Sequence, residues 1–88
     1  MDENELPRLR GEMDELDARL LGAFLERMRL AGEIGAYKAA RGLPIRDAAR
    51  EEAILARVRA AAGERDADGA EALWRLLLRL SRERQAGS

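Results

Sequence analysis

One long helical pattern at the start of the chain constrains its fold more than any other feature. From Leu6 to Tyr37, apolar side chains recur at intervals of three and four residues, which places them on one face of a helix. The members of this stripe are Leu6, Leu9, Met13, Leu16, Leu20, Phe24, Leu30, Ala31, Ile34 and Tyr37. The pattern predicts one helix over residues 5 to 40, and the glycines inside it leave a break near Gly32 open.

A second, shorter helix is predicted after a loop. Gly42 and Pro44 end the first pattern, because glycine favours a helix stop and proline disfavours a helical residue before it. Asp47 is a suitable N-cap for a helix that runs to about Ala62. Its expected core residues are Ile54, Leu55, Val58 and Ala61 or Ala62.

A third helix is predicted to run to about Gln85. Asp68 and Glu71 have the spacing of a capping box at its start. Its expected core residues are Leu73, Trp74, Leu76, Leu77 and Leu80. Because no strand pattern competes, the chain is predicted to be all-α, with one very long helix and two shorter ones.

The length of the first helix predicts an assembly. A helix of about 35 residues is about 52 Å long, whereas a compact chain of this size has a radius of gyration of about 12 Å. Much of the apolar stripe would therefore overhang the core of a monomer. A second copy related by a two-fold axis presents the same stripe, so an intertwined homodimer is expected.

Composition excludes several kinds of site. The 88 residues correspond to one small domain, residues 1–88, without cysteine or histidine, which excludes disulfides, thiolate nucleophiles, histidine bases and the usual zinc ligand sets. Sixteen basic and seventeen acidic residues interleave, without the single-sign block that a nucleic-acid surface needs. Since neither a signal-peptide pattern nor a membrane-length apolar run is present, a cytoplasmic protein is expected.

Two cations stand out on the helical stripe. Arg27 and Lys38 are eleven residues apart, so their backbones lie about 16 Å apart on nearly one line of the helix, where two long side chains could hold a small anion. Both could instead reach the surface or meet carboxylates. Arg10 lies about 25 Å from Arg27 along the helix, so it could close only the site of an antiparallel partner, and otherwise it is a solvated arginine.

Two further polar groups lie on the shorter helices. Asp47, Arg50 and Glu51 share one helical turn. They could form a functional set, or they could be a helix cap with an exposed ion pair. Ser81 and Gln85 continue the line of the third helix's apolar residues, which also fits a fraying terminus.

Taken together, these residues resemble the all-helical class of chorismate mutases over nearly the whole chain. The segments that carry the resemblance are LRGEMDELDARLLGAFLERMRLAGEIGAYK, GLPIRDAARE and LWRLLLRLSRERQ. They place Arg10, Arg27, Lys38, Asp47, Arg50, Glu51, Ser81 and Gln85 at the polar positions of the family's pattern.

The resemblance implies an activity, an assembly and residue roles. It implies a domain-swapped homodimer that rearranges the dianion chorismate to prephenate without a cofactor or metal, each site borrowing Arg10 from the neighbouring subunit. Arg27 and Arg10 would bind carboxylates, and Lys38 and Gln85 would donate to the ether oxygen. Glu51, with Asp47, would accept a hydrogen bond from the ring hydroxyl, and Ser81 would contact a carboxylate. Arg50 would orient Glu51 and add positive potential.

Three alternatives stay open on this sequence. An isochorismate pyruvate lyase or a 4-amino-4-deoxychorismate mutase would use similar cations on the same scaffold, although Asp47 and Glu51 favour a substrate with a hydroxyl group. A non-catalytic helical dimerisation module would carry an apolar stripe without the cations.

Overall fold

Three helices contain most of the residues that the structure describes. The computed structural model describes residues 3–87, and this part of the chain contains no strand. Helix α1 spans Glu5–Arg41, α2 spans Ala48–Ala62 and α3 spans Ala67–Gln85. The all-α prediction is confirmed, and α1 continues through Gly32 without a break.

Helix α1 ends at the glycine that the sequence indicated. Gly42 has φ 66° and ψ 28°, a left-handed conformation that glycine adopts without the steric cost of a side chain. The N–H groups of Gly42 and Leu43 donate to the carbonyls of Ala39 and Lys38 at 3.3 and 2.9 Å, as in a Schellman ending. The chain reverses there, so that Ile45 lies beside the last turn of α1.

The start of α2 agrees with prediction and the start of α3 does not. Asp47 caps α2, since its Oδ1 accepts the N–H of Arg50 at 3.0 Å. The predicted capping box of Asp68 and Glu71 is wrong, because α3 begins at Ala67 and both acids lie inside the helix. Their carboxylates instead accept from Arg59 Nη1, at 3.0 and 2.9 Å, which ties the end of α2 to the start of α3.

Helix α3 packs against both other helices, while α1 and α2 do not pack on each other within residues 3–87. Ile54, Leu55 and Leu78 form the buried cluster between α2 and α3. Ile54 and Leu55 were predicted, whereas Leu78 was not. Leu73 and Leu76 were predicted to be buried but are exposed, because they lie on the other side of α3.

The first half of α1 extends beyond this core. The described part of the chain measures 59 × 26 × 15 Å with a radius of gyration of 16.9 Å, well above the 12 Å or so of a compact chain. The first five residues of the stripe are 37% to 61% exposed: Leu6, Leu9, Met13, Leu16 and Leu20. The buried residues of α1 are Met28, Ala31 and Gly35, so only its second half joins the core of this chain.

None of the helices in residues 3–87 combines the length and the apolar character needed to cross a membrane.

Candidate active site

A cavity of about 320 Å³ lies where α1, α3 and the start of α2 meet. Seven of the eight predicted site residues line it: Arg27, Lys38, Asp47, Arg50, Glu51, Ser81 and Gln85. Apolar side chains, including Ala31, Ile54 and Leu78, complete the wall. Residues distant in sequence therefore share one concave surface, which favours the functional interpretation of this polar set over separate surface roles.

Arg27 reaches the cavity from the middle of α1. Its Nη1 donates to the hydroxyl of Ser81 and to the carbonyl of Leu77, at 3.4 Å in the second case. Burial lowers the pKa of Arg27, and the nearby positive charge of Arg50 lowers it further. Since an arginine stays charged even so, this corner holds a positive charge that no carboxylate within residues 3–87 pairs with.

Lys38 lies about three turns further along α1, at the other end of the same cavity. Its ammonium donates to Gln85 Oε1 at 2.9 Å and to the carbonyl of Ile45 at 2.6 Å. An ammonium has three N–H donors, so one remains for a ligand, and the side-chain NH₂ of Gln85 offers two more. The two residues predicted to donate to one substrate atom are thus neighbours.

Glu51 is held by a residue that the sequence did not indicate. Arg82 Nη1 lies 2.6 Å from Glu51 Oε1 and 2.7 Å from Oε2, and Arg46 Nε lies 3.9 Å from Oε1. Arg50 was expected to orient Glu51, but in the structure Arg82 is the arginine that donates hydrogen bonds to the Glu51 carboxylate. Adjacent positions of a helix such as Arg50 and Glu51 do not face each other, whereas α3 packs against α2 and places Arg82 beside Glu51.

A sequence signal for Arg82 exists, although it is weak. Arg82 follows Leu78 by four residues and precedes Gln85 by three, so it lies on the helical face that carries both a buried leucine and a site residue.

Arg10 is the one predicted site residue outside the cavity. It lies on the exposed first half of α1, and the rise of the unbroken helix separates it from Arg27 by about 25 Å. Arg10 therefore cannot reach the cavity of its own chain.

The cavity carries more positive than negative charge. Arg27, Lys38, Arg50 and Arg82 line it against two acids, Asp47 and Glu51. Such a wall suits a small anion with more than one negative group, because planar guanidinium groups bind carboxylates through paired hydrogen bonds. Within residues 3–87, acidic side chains form no cluster of three or more that could hold a metal ion.

Comparison with known proteins agrees with this arrangement. The family model described as chorismate mutase type II matches residues 9–86, a range that includes all eight predicted site residues. The chain is also similar to a chorismate mutase of Methanocaldococcus jannaschii, with 34% identity over 64 residues. The aligned region covers 73% of this chain and 65% of that relative, so the chain spans less than two thirds of the relative's length.

Proposed function

Because the chain belongs to the chorismate mutase type II family, we propose that it rearranges chorismate to prephenate. The observation that carries this proposal is the convergence of Arg27 and Lys38, neither paired with a carboxylate of residues 3–87, on one cavity from two points of α1. Chorismate carries two carboxylates and an ether oxygen, which suits these cations.

The reaction places few demands on side-chain chemistry. A Claisen rearrangement breaks a carbon–oxygen bond and forms a carbon–carbon bond within one molecule, so no group leaves and no net proton transfer is needed. The protein assists by holding the enolpyruvyl arm over the ring and by placing donors where negative charge grows on the ether oxygen. Lys38, with one N–H left, and Gln85, with its NH₂ group unused, are proposed for that oxygen.

The remaining roles follow the positions of the side chains. Arg27, fixed by Ser81, is proposed to bind a substrate carboxylate. Glu51 is proposed to accept a hydrogen bond from the ring hydroxyl, with Asp47 nearby. Arg50 adds positive potential rather than orienting Glu51, in keeping with its effect on Arg27.

We further propose that the active form is an intertwined, domain-swapped homodimer. The half-exposed leucines on the first half of α1 support this, since covering the exposed part of each against a partner would contribute about 1 kcal/mol. Antiparallel packing of two α1 helices would bring Arg10 of one chain near the cavity of the other. Sedimentation of a stable folded monomer would contradict this assembly.

Two broader predictions from the sequence stay predictions. They are the cytoplasmic location and the organisation of residues 1–88 as one domain.

A chorismate assay tests the proposed function. Purified protein is incubated with chorismate and, separately, with isochorismate, and the products are separated by chromatography. Loss of chorismate with equal gain of prephenate is expected. Pyruvate from isochorismate without chorismate turnover would identify a lyase instead, and a folded dimer inert toward both would favour a dimerisation module.

A further inference from the structure

We infer that Arg82 determines which ring substituent the cavity accepts at Glu51, favouring a neutral hydroxyl over a positively charged ammonium. The inference rests on the proposed function and concerns the choice between chorismate and its 4-amino-4-deoxy analogue, which carries an ammonium in place of the ring hydroxyl.

The Arg82 and Glu51 side chains form a close and partly buried pair. Arg82 Nη1 contacts both carboxylate oxygens, at 2.6 and 2.7 Å. The side chain of Glu51 is 15% exposed and that of Arg82 is 29% exposed, so solvent screens this pair less than a surface pair. The negative charge of Glu51 is therefore already matched before any ligand enters.

The pair still leaves Glu51 able to accept a hydrogen bond. Two carboxylate oxygens offer about four lone-pair positions, and the single nitrogen of Arg82 occupies only part of them. A hydroxyl donor adds a hydrogen bond there without adding charge. An ammonium would bring a second positive charge to a carboxylate that Arg82 already neutralises.

The other charges near Glu51 do not compensate for that second positive charge. Arg46 Nε, 3.9 Å from Glu51 Oε1, adds to the positive potential. Asp47 is exposed to solvent and its Oδ1 already caps α2. A ligand ammonium at Glu51 would therefore face repulsion from Arg82 with weak compensation from Asp47.

The packing of α3 positions Arg82 beside Glu51. Ser81 and Gln85, which precede and follow it on the same turn of α3, contact Arg27 and Lys38 of α1. Arg82 emerges between these two contacts toward α2, so its guanidinium is positioned by the same packing that forms the site.

The test compares two substrates on each of four proteins. The kcat/KM values for chorismate and for 4-amino-4-deoxychorismate are measured with wild type, Arg82→Gln, Arg82→Lys and Arg79→Gln. Arg79 is a matched control, since it is an exposed arginine of α3 that does not line the cavity. The ratio of the two values on one preparation does not depend on the fraction of protein that is folded.

Wild type is expected to prefer chorismate, and Arg82→Gln is expected to lower the ratio at least tenfold, with a higher KM for chorismate. Arg82→Lys keeps the charge and should keep most of the preference, and Arg79→Gln should match wild type. A ratio unchanged in Arg82→Gln would overturn the inference while the mutase activity stands. Wild type that leaves chorismate unconverted would instead overturn the proposed function, and the inference with it.

Discussion

Gly35 of α1 and the backbone of Gln85 in α3 are in direct contact. A β-carbon added to Gly35 would lie 2.5 Å from the Gln85 carbonyl oxygen and 2.6 Å from its Cα. Gly35 also lies one turn before Lys38, whose ammonium contacts the Gln85 side chain at 2.9 Å. The absence of a side chain at Gly35 therefore allows the end of α3 to bring Gln85 to Lys38.

Gly35→Ala should damage both folding and turnover. The added methyl group cannot be accommodated by a flexible side chain, because its neighbours are backbone atoms. Overpacking costs about 1–3 kcal/mol, which the better helix propensity of alanine offsets by up to about 1 kcal/mol. We expect a lower melting temperature and a kcat reduced at least tenfold, as Gln85 moves away from Lys38.

Gly32→Ala provides the control for this variant. A β-carbon at Gly32 would meet only the Arg84 side chain, at 3.8 Å, which is ordinary contact. The variant should be as stable as wild type or more stable, with unchanged kcat. If Gly35→Ala and Gly32→Ala have the same melting temperature and the same kcat, then α3 can shift away from Gly35 without loss of stability or turnover.

The helices were predictable from the sequence because their signals are local. Three-four spacing marks α1, and Gly42 and Asp47 act through their own backbone and side chain at the helix ends. The family resemblance was equally accessible, since its polar pattern is a matter of residue type and spacing, and the family match over residues 9–86 confirms it.

The packing of the helices was less predictable, because it depends on which faces meet. Leucines occupy so many positions of α3 that spacing alone could not distinguish the buried Leu78 from the exposed Leu73 and Leu76. The Glu51 and Arg82 pair joins two helices. Helical spacing places Arg82 on the same face as Gln85, but local sequence does not indicate that the partner of Arg82 lies 31 positions away.

Gln85→Glu should make turnover depend on acid. Gln85 is uncharged at every pH, so wild-type activity should vary little through neutrality. A glutamate there donates to the ether oxygen only when protonated, and the adjacent Lys38 favours its ionised form. The variant should therefore be nearly inactive at pH 7 and gain activity as the pH falls to the ordinary glutamate pKa of about 4.3 and below it.

Gln85→Met separates the loss of a donor from the gain of a charge. It removes the donor without adding a titratable group, so kcat should fall by roughly 100- to 1000-fold at every pH. Parallel pH profiles for wild type and Gln85→Glu would remove Gln85 from the ether-oxygen role.

The connection between α2 and α3 should weaken in acid. Hydrogen bonds from Arg75 and then from Arg59 lower the pKa of Glu71. A carboxyl whose pKa is lower in the folded protein stabilises the fold above its ordinary pKa, and this stability is lost as the pH falls through the folded value. Glu71→Gln should thus lower the melting temperature at pH 7 but show a smaller further decrease between pH 7 and pH 3.

Glu83→Gln is the matched control, since Glu83 is an exposed acid of α3 that forms no ion pair within residues 3–87. Its melting temperature should follow that of wild type at both pH values. A Glu71→Gln curve parallel to wild type would show that the Arg59 and Arg75 contacts do not contribute to stability.

Mixed dimers test whether the proposed site is shared between chains. Arg10→Ala and Lys38→Ala should each nearly abolish turnover. In a dimer that contains one chain of each, one pocket holds both substitutions and the other holds neither. Refolding the two variants together in equal amounts should form such dimers in about half of the population, so activity should recover to about a quarter of wild type.

Arg8→Ala is the control for Arg10→Ala, because Arg8 pairs with Glu5 and Glu12 of its own helix and should be dispensable for turnover. If refolding leaves the mixture as inactive as its components while Arg8→Ala remains active, the cavity is completed within one chain and Arg10 has another role.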